Sequence, residues 1–388
     1  MEVLNFALSV LIGLLLLVLL VVLHELGHAI VARRNGVVVE EFGVGFPPRA
    51  WAKKLKNGVL LSVNWLPLGG FVKLQGEHDS ANKKGDYGAV SLWAKTKILL
   101  AGVAVNWLTA VLLLTILAAV GLPKIIPNQF SMAGDTVVDR QPVTAGRVVE
   151  GLPADIAGIK TGDVIVSVAG QELFDASELS EITKNYKGKA VDIVVERGGK
   201  MQVKDVTLRA DNIEGDGYLG VAASQQKRTT YRSTWSAPVV GFALTGQLTS
   251  YTLTSLGDMV VQLFSGIFNK LSLNSETRDA GGAQLAAVSS NVGGPLAILG
   301  MIFPAAVAEG PAALLLITAL ISLTLAVMNI LPIPALDGGR WFVTMIYRLI
   351  LRKPLTKDRE EQIHGIGFMV LIGLVLLITV ADVGKFIR

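Results

Sequence analysis

Residues 16–34 read LLVLLVVLHELGHAIVARR, the end of an apolar run that begins near residue 6. A run of about 20 apolar residues is long enough to cross a bilayer as a helix. In lipid the only viable spanning structures satisfy their own backbone hydrogen bonds. The run is therefore expected to be a membrane helix, and its last third carries two histidines and a glutamate. Ionisable groups inside a bilayer are costly, so they point to function. The run has no basic leading region and exceeds the roughly 7–15 apolar residues of a secretory signal, so it is read as a retained span.

Composition agrees. Charged residues make up 17% of the 388 and the mean hydropathy is +0.54, whereas soluble domains carry about 25% charged residues. Beside the span at about 6–31, three more segments are long enough, at about 98–120, 312–333 and 363–380. The expected fold is a polytopic α-helical membrane protein with four spans. Its membrane core is split between residues 1–135 and 312–388. Residues 33–97 hold 11 Lys and Arg against 5 Asp and Glu, and residues 340–361 hold 6 against 3. The long middle segment, 135–232, holds 13 against 15. Lys and Arg crowd cytoplasmic loops, which puts both basic loops inside and the N-terminus and middle segment outside. Residues 235–268 contain Gln247, Asp258 and Gln262, and a fifth span there would place a basic loop outside. Residues 235–308 are accordingly expected to form an amphipathic, interfacial helical region.

There are no cysteines, which excludes disulfides, thiolate ligands and cysteine nucleophiles. A metal site must then use His, Asp or Glu. His24-Glu25-Leu26-Gly27-His28 is H-E-x-x-H on a predicted helix. Residues four apart share a helical face, so both imidazoles can reach one ion, with Glu25 placed to take a proton from metal-bound water. From Phe6 to His24 the helix rises about 27 Å, against a hydrocarbon layer of about 30 Å. The site thus lies inside the membrane near its cytoplasmic edge, and Arg33 and Arg34 mark the exit.

Catalytic zinc sites use three protein ligands and keep a position open. No downstream His completes the longer zincin motif, because residue 34 is Arg, and Glu40 and Glu41 sit in a loop. The better third ligand is Asp337 in MNILPIPALDGGRW, residues 328–341. It ends a span that runs in the same direction as the first, so it reaches the same depth. Pro332 and Pro334 cannot continue a helix, and Gly338 and Gly339 permit unusual dihedrals. Non-helical backbone at that depth must be buried in protein or line a watery cavity. The alternative is an aspartate that simply meets solvent where the helix ends. The expected cofactor is Zn2+.

HELGH in the first span together with NILPIPALDGG in a later one resembles the site-2 proteases, a family of intramembrane zinc metalloproteases. FGVGFPPRAW (42–51), PLGGFVKLQGE (67–77) and AGVAVNWLTA (101–110) are similar to the bacterial branch, in the same order, and most like its single-PDZ regulators of sigma-E type. The resemblance implies cleavage of the transmembrane segments of single-span proteins near the cytoplasmic side of a bacterial inner membrane. Anti-sigma factors and remnant signal peptides are the candidate substrates. It also implies that Asn329 and Pro332 position substrate and that Asn106 faces the site. One departure is Ala101-Gly102, where the family commonly has Gly-Pro, and no chemistry is expected to depend on it.

Two further regions carry expectations. GRVVEGLPADIAGIKTGDVIVSVAGQEL (146–173) has short Val/Ile-rich strands punctuated by Gly, Pro and Asp. With a hairpin around Gly198-Gly199 and GYLGVAA near Gly220, residues 137–224 resemble a PDZ domain, a β-rich α+β insert on the extracytoplasmic side. Its expected roles are to take a peptide on its sheet edge or only to restrict access. Residues 37–76 are expected to form a membrane-associated β-hairpin whose edge holds substrate as a strand, with Gly69, Gly70 and Phe71 in contact; the alternative is a surface hairpin resting on headgroups. His78 and His364 are expected to be solvent or interface residues, and no nucleic-acid partner is expected. A transporter would call for inverted repeats, which are not visible, and an intact Glu25 argues against an inert adaptor. The closest rival is a membrane-anchored surface zincin in protein quality control, with a glutamate as third ligand.

Overall fold

In the computed structural model the first apolar run is one helix, α1 (Glu2–Arg34). Leu4, Leu8, Leu11, Leu15, Leu19, Leu26 and Ile30 are exposed along it, at the three- and four-residue spacing of a single face. Leu20, His24 and His28 are buried on the other face. A helix with apolar residues outside and histidines inside is arranged for lipid rather than water. The structure describes all residues except 1, 140–141, 213–215, 226–228, 273, 292–293 and 387–388. At 2, 68, 286, 288–291, 295, 374, 377–378 and 380–386 it describes the backbone alone. Two compact units result, Met1–Leu117 with Pro238–Arg388, and Ala118–Ala237.

In the first unit, β1 (Val39–Lys54) and β2 (Leu60–Leu74) form an antiparallel, heavily bulged sheet. Residues 41–44 pair on one side with 70–73 and on the other with 60–63, and residues 60–64 pair in turn with 49–54. Such bulging bends and twists a sheet. Strand 70–74 is left at one edge, and among the described residues no strand pairs with its outer side. Two helices follow, α2 (Leu92–Leu99) and α3 (Ala101–Val120). Ser91 caps the first by accepting from Ala94 N–H.

The second unit is built on a sheet. Its strands are β3 (Thr144–Val148), β4 (Val164–Val168), β5 (Ala190–Arg197), β6 (Lys200–Thr207) and β7 (Val221–Ser224), in spatial order β7-β3-β4-β5-β6. One helix, α4 (Ala176–Asn185), starts at a capping box in which Asp175 and Glu178 satisfy each other's end of the first turn. The core packs Ile159, Ile165, Ile193, Val195 and Leu208. Val191, Ile193 and Val195 alternate inward as a strand requires. The expected 137–224 module falls in this unit, and its residues 140–141 and 213–215 lie outside the described ones.

The first unit resumes with α5 (Ala237–Lys270), α6 (Ser275–Asn291) and a helical stretch over 295–309, then α7 (Pro311–Ile330), α8 (Asp337–Met345) and α9 (Lys357–Phe386). Ser322 on α7 donates to Asn106 O on α3 at 2.8 Å. Ala319, Ser322 and Ala326 are buried on α7, the small residues that let membrane helices approach closely. Among the described residues, three helices are long and apolar enough to cross a membrane: α1, α3 and α7. The expected fourth span at 363–380 falls within α9, where 374, 377–378 and 380 lie outside the residues with described side chains.

Candidate metal centre

The centre starts from a close approach of α1 and α3. A Cβ at Gly27 would meet Val105 Cγ2 at 2.8 Å and Ala101 O at 2.9 Å. Glycine there lets α1 lie against α3 with His24 and His28 turned into the contact. Their rings meet edge to face, 4.9 Å between centroids. The helix break at Leu100 leaves the Ile98 carbonyl at the end of α2, and His28 Nδ1–H donates to it at 2.7 Å. That bond fixes the tautomer and leaves His28 Nε2 with a lone pair.

Asp337 arrives from the far end of the chain. α7 stops at Ile330, and residues 331–336 run unwound through Pro332 and Pro334 to α8, which Asp337 opens. Ala335 takes a left-handed φ of 83°, and its N–H donates to His364 Nδ1 at 3.3 Å. The turn folds back tightly. A Cβ on Gly338 would lie 2.2 Å from Ile330 O, and one on Gly339 2.0 Å from Ile333 O, so any other residue would force the turn apart. Gly367 on α9 gives the same clearance to Pro334.

Three ligand atoms therefore converge. His24 Nε2 lies 3.0 Å from Asp337 Oδ2, His28 Nε2 3.2 Å from the same oxygen, and the two Nε2 atoms 3.2 Å from each other. A tetrahedral ion held at about 2.0–2.1 Å separates its ligand atoms by about 3.3 Å. Lone pairs of two neutral imidazoles and a carboxylate facing one another repel unless a cation sits among them. The cluster can hold a metal ion. A further observation fits such a group. A Cβ at Gly102 would lie 2.4 Å from His28 Nε2 and 2.6 Å from His24 Nε2, so the missing side chain keeps that side of the imidazoles open. Gly102, where no chemistry is expected from the sequence, thus lies directly against the two imidazoles.

Asn106 is 1% exposed and its amide lies 3.3 Å from His24 Nδ1. With His24 Nε2 facing the cluster, Nδ1 carries the hydrogen, and the amide must present its oxygen. Asn amide oxygen and nitrogen are told apart by their partners. As placed, the oxygen is buried without one, and exchanging the two gives it the Nδ1–H.

A cavity of about 280 Å³ opens beside the triad, lined by Glu25, His28, Phe71, Val72, Asp337 and Arg340 among others. The edge strand 70–74 forms one wall. A Cβ on Gly70 would sit 3.4 Å from Glu25 Cγ. Gly69 packs under the Phe46 ring. Asn106, Asn329 and Pro332 are not among the lining residues, and Pro332 is exposed. Glu41 is taken by Arg49 at 2.9 Å and Glu40 by Lys73 at 2.9 Å, so neither joins the triad.

The sequence profile of peptidase family M50 matches residues 12–374, nearly the whole chain. The chain belongs to peptidase family M50. A Clostridium perfringens homologue provisionally named a zinc metalloprotease is 30% identical over 94% of this chain and 95% of its own. The zinc metalloprotease RasP of Geobacillus kaustophilus is 26% identical over 95% and 96%. The regulator of sigma-W protease RasP of Bacillus subtilis is 26% identical over 94% and 96%. Among solved structures, the PDZ domain of an SdrC-like protein from Listeria monocytogenes matches at 24% identity and a TM-score of 0.19, covering 22% of this chain and 88% of that one.

Around its centre this M50 peptidase carries a buried polar cluster that no motif announces. Asp79 is fully buried and bound by Lys95 Nζ at 2.5 Å, Arg348 Nε at 2.8 Å and Leu355 N–H at 2.9 Å. Burial pushes its carboxyl up, but Lys95, Leu355 N–H and Arg348 outweigh burial and hold it below the usual range. Glu360 accepts from Asp79 N–H at 2.9 Å. The loop after β2 is thereby pinned to α2 and to the segment between α8 and α9.

Proposed function

We propose that this M50 peptidase is an intramembrane zinc metalloprotease that cuts transmembrane segments of single-span membrane proteins. His24, His28 and Asp337 would hold the zinc, and a set of two nitrogens and one oxygen suits that ion. The observation that carries the reading is the convergence of these three side chains, drawn from α1 and α8, beside a cavity lined by Glu25, His28 and Asp337. When bound, zinc supplies a Lewis acid for the scissile carbonyl and lowers the pKa of its water towards 7.

The chain's own residues do the rest. Glu25 takes the proton from the attacking water on its carboxylate and returns it to the leaving amine nitrogen. His28, tied to Ile98 O, and His24, tied to Asn106, keep their Nε2 lone pairs aimed at the ion. A helical substrate hides its carbonyls in hydrogen bonds, so it must be unwound. The outer edge of strand 70–74 can take the unwound segment as an added strand beside Glu25, with Gly70 allowing close approach and Phe71 contacting its side chains. The sheet of β1 and β2 would rest in or on the membrane surface with Trp51, Trp65 and Leu66 exposed towards lipid.

The finer architecture follows from charge and pattern. α9 would supply the fourth span. Both basic loops would lie in the cytoplasm, and the sheet unit would lie outside as a PDZ module. Its edge strand β7 and α4 border a groove of about 420 Å³ in which an extended peptide could pair with β7. The location would be a bacterial cytoplasmic membrane. The name of the Bacillus subtilis relative, regulator of sigma-W protease, favours anti-sigma factors as substrates, beside remnant signal peptides.

The test pairs zinc analysis with cleavage of a single-span substrate. Glu25→Gln is expected to keep its zinc and lose cleavage by a factor on the order of 10²–10⁴. Cleavage by Glu25→Gln at the wild-type rate would reject the mechanism.

A further inference from the structure

Backbone N–H groups alternate sides along a strand. Gln75 N–H points inward, to Val38 O at 2.9 Å. The N–H groups of Leu74, Val72 and Gly70 therefore face the outer edge; Glu25 packs against Gly70, and Val72 and Leu74 line the same cavity as Glu25. The Leu74 N–H is already taken, because it donates to Glu77 Oε2 at 3.2 Å. The other oxygen of that carboxylate accepts from Arg340 Nη1 at 2.8 Å, and Arg340 sits one helical turn beyond Asp337 on α8. One carboxylate thus joins the end of the edge strand to the helix that carries the third metal-binding side chain.

We propose that Glu77, held by Arg340, is the register stop of the substrate strand: it occupies the Leu74 rung and ends the usable edge at Val72. This rests on the reading that strand 70–74 receives the substrate. A one-residue slip of an added strand turns every side chain to the opposite face, so the allowed slips are of two residues. Such a slip moves the substrate by about 6.6–6.8 Å, enough to bring a different peptide bond to Glu25 and the triad. With the Leu74 rung closed, that slip has one hydrogen bond fewer to gain. Glu77 is then a positioning residue. It sets which bond is cut while touching neither the metal nor the reacting atoms.

The full-length protein in phospholipid vesicles with zinc would be given a single-span model substrate, the cut bonds read by mass spectrometry, and zinc counted per chain. Wild type is expected to cut one principal bond. Glu77→Gln keeps one acceptor oxygen for Leu74 N–H but gives up the one that Arg340 holds, so it should behave as Arg340→Gln does. Glu77→Ala frees the rung and should raise a second product, two residues away, by about fivefold, the effect of one net hydrogen bond. Arg340→Gln unties Glu77 and should raise the same product less. It carries the test if Glu77→Ala loses zinc. Cleavage by both variants at the wild-type bond alone, or scatter over adjacent bonds with no two-residue spacing, overturns the stop. A wild type without zinc-dependent cleavage overturns the proposed function, and the stop with it.

Discussion

The opening beside the two imidazoles at residue 102 is too small for a methyl group. Gly102→Ala would put one 2.4 Å from His28 Nε2, and the helix backbone cannot retreat without undoing the Gly27 contact. Metal analysis of that variant should find zinc reduced by about tenfold or more, on the scale of losing a ligand-supporting partner, with helix content by circular dichroism unchanged. Asp79→Asn tests the polar cluster. It leaves Lys95, 1% exposed, without its counter-charge, and breaking a buried pair in this way costs about 3–5 kcal/mol. Denaturant unfolding should register that loss. The histidine pair was legible in the sequence because both residues sit on one helix at a spacing that fixes their common face. Gly102 was not, because a glycine in a span gains its role only when α1 closes on α3. Asp79 was not, because its partners Arg348 and Leu355 lie far along the chain, and no local pattern marks a loop aspartate as buried.

Elements were legible to the extent that length and apolarity define them. The runs that became α1, α3 and α7 had no other viable form in lipid, and the prolines before Asp337 announced the unwound turn. The β1 and β2 sheet was legible as strands, but its pairing was not. Bulges let residues 41–44 pair on both sides, and a bulge has no fixed sequence sign. In the sheet unit, Arg197 holds the Asp163 carboxyl below its usual range against the push of burial, at contacts of 2.5 and 2.6 Å. A carboxyl depressed in the folded state stabilises above its unfolded value of about 3.9, and that contribution disappears as pH falls through the folded value. Hydrogen exchange at β4, corrected for its intrinsic pH dependence, should show protection falling as the pH drops below about 4. Asp163→Asn should show weaker protection at pH 5 and a flatter profile.

The distribution of basic residues makes a prediction for the molecule in its membrane. The chain contains no cysteine, so single cysteines report sidedness without background. Lys83→Cys, in the loop after β2, should react with an impermeant thiol reagent only from the cytoplasmic side. Lys200→Cys, at the start of β6, should react only from the opposite side. Labelling of both from the same side would reject the topology drawn from the Lys and Arg bias, and labelling from swapped sides would reverse it.

The two halves of the cluster lie 313 positions apart, His24 near one end of the chain and Asp337 near the other. A ribosome releases them in that order, with the whole sheet unit made in between. Until residue 337 has been inserted, the two histidines have no Asp337 carboxylate to close on. A chain that stops short of residue 337 would have the two histidines on α1 but not the carboxylate they converge on.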